Sequence, residues 1–325
     1  MRFKPILFIL VIQSILFCQE SKNSLVTIDN LHSGPILFIS FYIIKPHGTS
    51  IRHLFSMNED GTGIKQLTND SDSHVFNASW SPNSKQIAYA SSQGLFIMNA
   101  NASEKKLLAK SGDNPRWSPN GKQIAFTKRW GFEGSGAIIY LVNSDRTNEQ
   151  PLHERDEDNR ENVRLNDWSP DGKTIIGDGE IEKAYVNGRM QANNRIVFYD
   201  LKGNILKTYG EIGLTLQRSV YSVSGKKIAF ISGKNRNSGI NILELNGNNE
   251  TLISPSNKLE NRQYTNFYYP VSWSPNDSSV LCNIGPQTSV FNRIVLINVY
   301  TRLITDITPI TDDSTFCFAA DWRKR

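Results

Sequence analysis

Short apolar runs recur along the chain, each set off by a polar, turn-forming stretch and an aromatic residue. Gln86-Ile87-Ala88-Tyr89-Ala90, Gln123-Ile124-Ala125-Phe126, Thr174-Ile175-Ile176 and Ser279-Val280-Leu281 each follow a copy of Trp-Ser-Pro, at Trp80, Trp117, Trp168 and Trp273. A degenerate copy, Tyr221-Ser222-Val223-Ser224-Gly225-Lys226, precedes Lys227-Ile228-Ala229-Phe230, and Trp322 closes the chain in Phe318-Ala319-Ala320-Asp321-Trp322. The steps between these six aromatics are 37, 51, 53, 52 and 49 residues. The runs are too short for helices and are apolar at successive positions, which is the pattern of a strand covered on both faces. A strand-and-turn repeat of this period predicts a β-propeller.

Each part of the repeat has a physical role. In Trp117-Ser118-Pro119-Asn120-Gly121-Lys122 the proline presets φ for the first turn position, and Asn-Gly tolerates the positive φ of a tight reversal. The aromatic before the turn is large enough to fill the wedge between neighbouring sheets. A third strand follows, as in Gly94–Asn99 or Ala137–Asn143. A fourth is marked first by Met57-Asn58-Glu59-Asp60-Gly61-Thr62 and Ile64–Thr68. Four strands per unit and six units give an all-β, six-bladed propeller. The chain enters on a second-strand element (Pro35–Phe41) and ends on a first-strand element (Thr315–Trp322), so the C-terminal strand is expected to complete the N-terminal blade. Such a ring leaves no open sheet edge between blades.

The combination Trp-Ser-Pro-(Asn/Asp)-Gly-Lys-x-Ile-Ala-Phe with Met-x-x-Asp-Gly-Thr resembles the WD40-like repeat of TolB propellers. It is also similar to the propellers of prolyl oligopeptidases and the tricorn protease. The resemblance covers roughly residues 35–325. It is to the propeller part alone, because TolB carries an α/β domain ahead of its propeller and here a short polar segment stands there. TolB's propeller binds an outer-membrane lipoprotein, so the resemblance implies a protein partner in a bacterial envelope. The related peptidases keep their catalytic triad in a separate α/β domain, which has no counterpart in this sequence.

Residues 1–18 read as an export signal. Arg2 and Lys4 precede Ile6–Ile12 and Ile15-Leu16-Phe17, an apolar run short for a membrane span. Cys18 follows directly, as in a lipoprotein signal whose cysteine is acylated, although Phe17 stands where a small residue is usual. Cleavage elsewhere and retention as an anchor remain open. Residues 19–34 then form a polar tether and 35–325 the propeller. Membrane contact is expected only through the lipid anchor.

The formal charge of +5 falls to +3 without Arg2 and Lys4, and basic residues form no long run, so a nucleic-acid partner is not expected. Cys282 and Cys317 fall on strands of adjacent blades, as two buried thiols or as a pair in an oxidising compartment.

Function is left to the loops. The turns between first and second strands, and between third and fourth, are uniformly tight. Extra length gathers in the other set: 128–136, 150–164, 179–194, 233–238, 254–269 and 285–292. All of these project from one face, around the mouth of the channel. Glu180–Val186 and Arg189–Ala192 flank Asn187-Gly188 and read as a projecting hairpin. Arg262, Tyr264, Phe267 and Tyr268 form an aromatic stretch of interface type, with Arg129, Trp130 and Phe132 a smaller one. With Tyr185 and Arg189 of the hairpin, these are the candidate binding residues; half of the rings serving only to pack their own crossover is the structural alternative.

No catalytic residue, metal site or cofactor is expected. The five histidines lack zinc-ligand spacing, and Glu154–Glu161 lacks the Gly and distal Glu of a calcium loop. No Gly-x-Ser-x-Gly elbow occurs. The sequence reading is therefore a non-catalytic protein- or peptide-binding scaffold. A carbohydrate-directed enzyme or lectin using the channel is the alternative, since paired carboxylates leave no linear motif. That alternative predicts two or more carboxylates near the axis with one raised pKa.

Overall fold

The structure is a computed structural model. It describes residues 34–42, 51–69, 73–130, 136–153, 162–180, 184–186, 189–191, 194–233, 239–255, 266–286, 293–309 and 315–323. These form six four-stranded antiparallel sheets and one separate two-stranded hairpin. The blades' innermost strands are Thr315–Trp322 (blade 1), Val75–Trp80, Asp113–Trp117, Asn162–Trp168, Leu216–Tyr221 and Asn266–Trp273 (blade 6). The second strands are Ile36–Tyr42, Gln86–Ser91, Gln123–Trp130, Thr174–Glu180, Lys227–Ser232 and Ser279–Pro286. Each innermost strand touches the next, and the last touches the first, so the ring is closed. Closure is by the expected route: Thr315–Trp322 pairs antiparallel with Ile36–Tyr42, Ile36 opposite Trp322 and Tyr42 opposite Thr315.

The repeat aromatics fill the seams between blades. Trp273 is fully buried, and Trp80, Trp117, Trp168, Tyr221 and Trp322 nearly so. Three indoles also donate back to the preceding blade: Trp80 Nε1 to the Pro35 carbonyl (3.1 Å), Trp168 Nε1 to that of Arg116 (3.2 Å) and Trp273 Nε1 to that of Val220 (3.1 Å). Two buried carboxylates of the preceding blade accept in the same sense. Asp321 accepts from the Trp80 N–H at 2.9 Å and Asp167 from the Tyr221 N–H at 3.1 Å.

In blades 2 to 6 the turn after the aromatic is held by its serine. The Oγ of Ser81, Ser118, Ser169 and Ser274 accepts the N–H five residues on at 2.9 Å, and Ser222 does so at 3.1 Å. Each hydroxyl of the first four also donates to the Asn or Asp two residues on, at 2.6–2.8 Å. The Ser-Pro-Asn sequence is thus one hydrogen-bonded unit, in which serine and asparagine brace the reversal that proline begins.

Two expectations are corrected at the opposite face. Residues 128–130 and 266–269 were expected in loops, but they continue strands Gln123–Trp130 and Asn266–Trp273. Their backbones pair with Gly136–Asn143 and Ser279–Pro286, so blades 3 and 6 are extended sheets there. The hairpin of blade 4 is present but shorter than expected: Ala184–Val186 pairs with Arg189–Gln191, while Glu180 ends the blade's own second strand. Cys282 and Cys317 are free and buried, in the cores on either side of blade 6.

Candidate functional site: the central channel

All six innermost strands carry a bulge, a register shift against the second strand that leaves extra residues unpaired. The shifts lie between Val75 and Asn77, Asp113 and Arg116, Leu165 and Asp167, Gln217 and Val220, Pro270 and Ser272, and, in blade 1, opposite Leu37 and Phe38. A bulge bends its strand and re-aims side chains. Here the bulged segments line a cavity of about 360 Å³ on the propeller axis. It is built from the N-terminal halves of the innermost strands and the ends of second strands, at Thr127, Arg129, Asp178 and Asn283. Strand polarity therefore opens it on the face of the crossovers and the second-to-third connections.

The wall has a simple sequence rule. Counting back from each repeat aromatic, the residues at minus four and minus three line the channel in every blade. They are Phe76-Asn77, Asp113-Asn114, Arg164-Leu165, Gln217-Arg218, Tyr269-Pro270 and Phe318-Ala319. Blades 3, 4 and 5 contribute charge and amides, whereas blades 6, 1 and 2 contribute mostly rings and apolar groups. The channel is polar on one half and apolar on the other.

The polar half is firmly positioned. Arg218 holds φ of 58° within a strand, and Asn114 holds 52°. Asn accepts the left-handed region readily, but arginine does so at a cost of about 1–2 kcal/mol. Asp178 holds Arg218 there: its Oδ1 accepts the Arg218 N–H at 3.0 Å. Burial pushes the Asp178 carboxyl above the usual carboxylate range, against the opposing pull of that N–H, of Asn166 and of the Arg218 and Arg164 charges. Asn166 Nδ2 donates to Ser219 Oγ at 2.8 Å, Arg116 Nε to the Asn166 carbonyl at 3.0 Å, and Asn114 Nδ2 to the Leu165 carbonyl at 2.5 Å. These bonds run from blade to blade around the channel.

On the apolar half, Phe41 and Phe318 meet edge-on at 6.4 Å, and the Arg52 guanidinium sits 5.0 Å from the centre of the Phe41 ring. At the boundary the Arg218 guanidinium lies 6.0 Å from the Tyr269 ring.

Of the residues singled out from the sequence, Arg129 lines the channel and is exposed. Tyr185 is 60% exposed on the hairpin. Tyr268 is half-buried against the core between blades 5 and 6, where burial pushes its phenol up. Trp130 and Phe267 lie on strands of blades 3 and 6, and Arg189 lies on the hairpin. Phe132, Arg262, Tyr264 and Cys18 fall outside the described residues, as does the acidic loop 154–161. Arg52, Arg116, Arg164, Arg218, Asp113 and Asp178 were missed. For Asp113, Arg164 and Arg218, the signal was the register of the repeat itself, read back from the aromatic.

A closed ring of six four-stranded blades around an axial channel defines a β-propeller. The chain belongs to the TolB beta propeller family, whose model matches residues 39–313. Among solved structures it is similar to TolB from Acinetobacter baumannii, at 19% identity and a TM-score of 0.63, covering 87% of this chain and 66% of that one. It is also similar to a putative TolB from Agrobacterium tumefaciens, at 15% identity and TM-score 0.58, covering 88% and 98%. A chain of a nidogen/laminin complex matches at 11% identity and TM-score 0.59, covering 87% and 98%. At these identities the likeness is one of fold. Comparison with curated proteins gave no match.

Proposed function

We propose that this chain is an exported, non-catalytic propeller of the cell envelope that binds a protein or peptide at the face where its channel opens. The observation that carries this reading is the asymmetry of the two faces. The 8-residue strands of blades 3 and 6 and the extra hairpin of blade 4 all extend the same face, the one that holds the channel mouth. Binding surfaces are characteristically displayed in this way on a rigid scaffold. Membership of the TolB beta propeller family supports a protein partner, and the leader with Cys18 supports export and a lipid anchor.

Affinity capture from detergent-solubilised envelope tests the reading. The full chain is run beside a variant with Arg129, Trp130 and Tyr185 changed to Ala. A stoichiometric protein retained by the parent and lost by the variant is expected. Absence of any such protein, with both chains folded, would sink the proposal.

A second reading, a channel enzyme acting on carbohydrate, has one specific observation in its favour. Asp113 and Asp178 both line the channel, and Asp178 is pushed toward its neutral form. Glycan turnover abolished by Asp113→Asn and by Asp178→Asn would establish it; survival of that turnover in both variants would remove it.

A further inference from the structure

We propose that the axial channel is a binding site for a small amphipathic acid, an oxyanion joined to an apolar body. This is independent of whether a protein binds the outer face.

The charged half of the wall presents Arg116, Arg129, Arg164 and Arg218. None of the four makes an ion pair with a carboxylate among the described residues. Arg129, Arg164 and Arg218 are exposed to the cavity, so their charge reaches solvent without a desolvation cost. Convergent guanidiniums without an ion-paired carboxylate are what carboxylate or phosphate recognition requires, because each offers a planar fork of donors. Asp113 and Asp178 do not cancel this charge. Two carboxyls share the cavity with five arginines, these four and Arg52, and burial holds the Asp178 carboxyl toward its neutral form. Its oxygen is also committed to the backbone of Arg218.

An inorganic anion would use only half of the cavity. The facing half, from blades 6, 1 and 2, presents Phe76, Phe41, Phe318 and Val271. Phe76 is 38% exposed, an unusual state for a ring inside a ring-shaped scaffold. Burying such a ring is worth roughly 25 cal/mol per Å² of apolar area removed from water. Sugar stacking fits less well, because guanidiniums already stand over Phe41 and Tyr269. At about 360 Å³ the cavity is near the small end of ligand pockets. It suits a single aryl or alkyl group with one acid, either as a free acid or as the C-terminal residue of a peptide.

Titration calorimetry on the full chain tests this with 4-phenylbutyrate, its amide, citrate, and the tripeptide Gly-Gly-Phe with a free or amidated C-terminus. At least one apolar acid is expected to bind saturably, and about tenfold or more tighter than both its amide and citrate, the worth of one charge-assisted pair. The tighter of the free acid and the peptide identifies the source. In Arg164→Gln/Arg218→Gln the acid and its amide should become nearly equal. Phe76→Ser should weaken both while leaving their ratio intact. All three side chains are solvent-exposed, so folding is not threatened. Binding of acid and amide alike by the wild type, citrate binding as tightly as phenylbutyrate, or no binding of any apolar acid would each overturn the proposal.

Discussion

The two faces of this propeller differ in how they are specified. On the turn face, five of the six blades repeat one hydrogen-bonded unit, and neighbouring units pack in register. A Cβ added to Gly121 would lie 3.4 Å from Pro82, one on Gly172 3.7 Å from Pro119, and one on Gly225 3.4 Å from Pro170, so each blade's glycine rests on the preceding blade's proline. On the channel face nothing repeats except backbone register. The bulge recurs in all six blades, while its side chains change from arginine to phenylalanine around the ring. A face serving closure alone can be uniform, whereas a face that recognises a ligand must break the repeat's symmetry.

One seam of the turn face breaks the rule in a way that supports it. In blade 5 the proline is replaced by Val223, and in blade 6 the glycine is replaced by Asp277, which holds φ of 56°. The two departures meet. Val223 has the N–H that proline lacks, and Asp277 Oδ1 accepts it at 2.6 Å while Oδ2 accepts the Ser224 N–H at 2.9 Å. A Pro–Gly contact has been exchanged for a Val–Asp hydrogen bond.

The largest effect should come from opening the ring. Deleting residues 316–325 removes the innermost strand of blade 1 and exposes both edges of the break. Loss of soluble, cooperatively melting protein is expected, and a cooperative melt in the truncation would show that closure is dispensable. Next is the wedge: Trp273→Ala should lower unfolding free energy by about 3–5 kcal/mol in denaturant titration.

The exchanged seam gives a sharper test. Asp277→Gly and Val223→Pro should each destabilise by about 1–2 kcal/mol, since each breaks charge-assisted bonds. Together they restore the Pro–Gly contact, so the double variant should lose clearly less than the sum of the two losses. Ser84 holds φ of 59° with no interblade bond of this kind, so Ser84→Gly should instead stabilise by about 1 kcal/mol. Additive losses at the 223/277 pair would refute the exchange.

Asp178 should leave a pH signature. Below the ordinary carboxylate value of 3.8 both folded and unfolded chains hold the proton. As pH rises past it the unfolded chain ionises first, so stability declines until the buried carboxyl ionises too. Asp178→Asn, which keeps an acceptor for the Arg218 N–H, should remove that decline in a series of melts. An unchanged pH profile would contradict the assignment. The smallest effect concerns Cys282 and Cys317, whose thiols burial pushes up: both should react with thiol reagents only after unfolding.

The fold was readable because its determinants are local and repeated. Aromatic, serine, proline and the apolar run fall within about a dozen residues, and six copies make the period unmistakable. The C-terminal closure followed from which strand types begin and end the chain. The channel was harder to read because its residues have nothing in common chemically. Arg164, Tyr269 and Phe318 share a position and no property, so a search for motifs passes over them. Strand extension at 128–130 and 266–269 was missed because turn residues at 134–136 and polar residues at 260–266 suggest loops. Only pairing with a distant strand decides the matter.

The central claim is that recognition belongs to the channel face and closure to the turn face. A direct test is binding of the captured partner, in parallel, to Arg129→Ala/Tyr185→Ala on the channel side and Lys122→Ala/Tyr300→Ala on the turn side. The account predicts that the first pair weakens binding about tenfold or more, with melting unchanged, and the second leaves it untouched. Equal losses, or a loss confined to the turn-face pair, would contradict it.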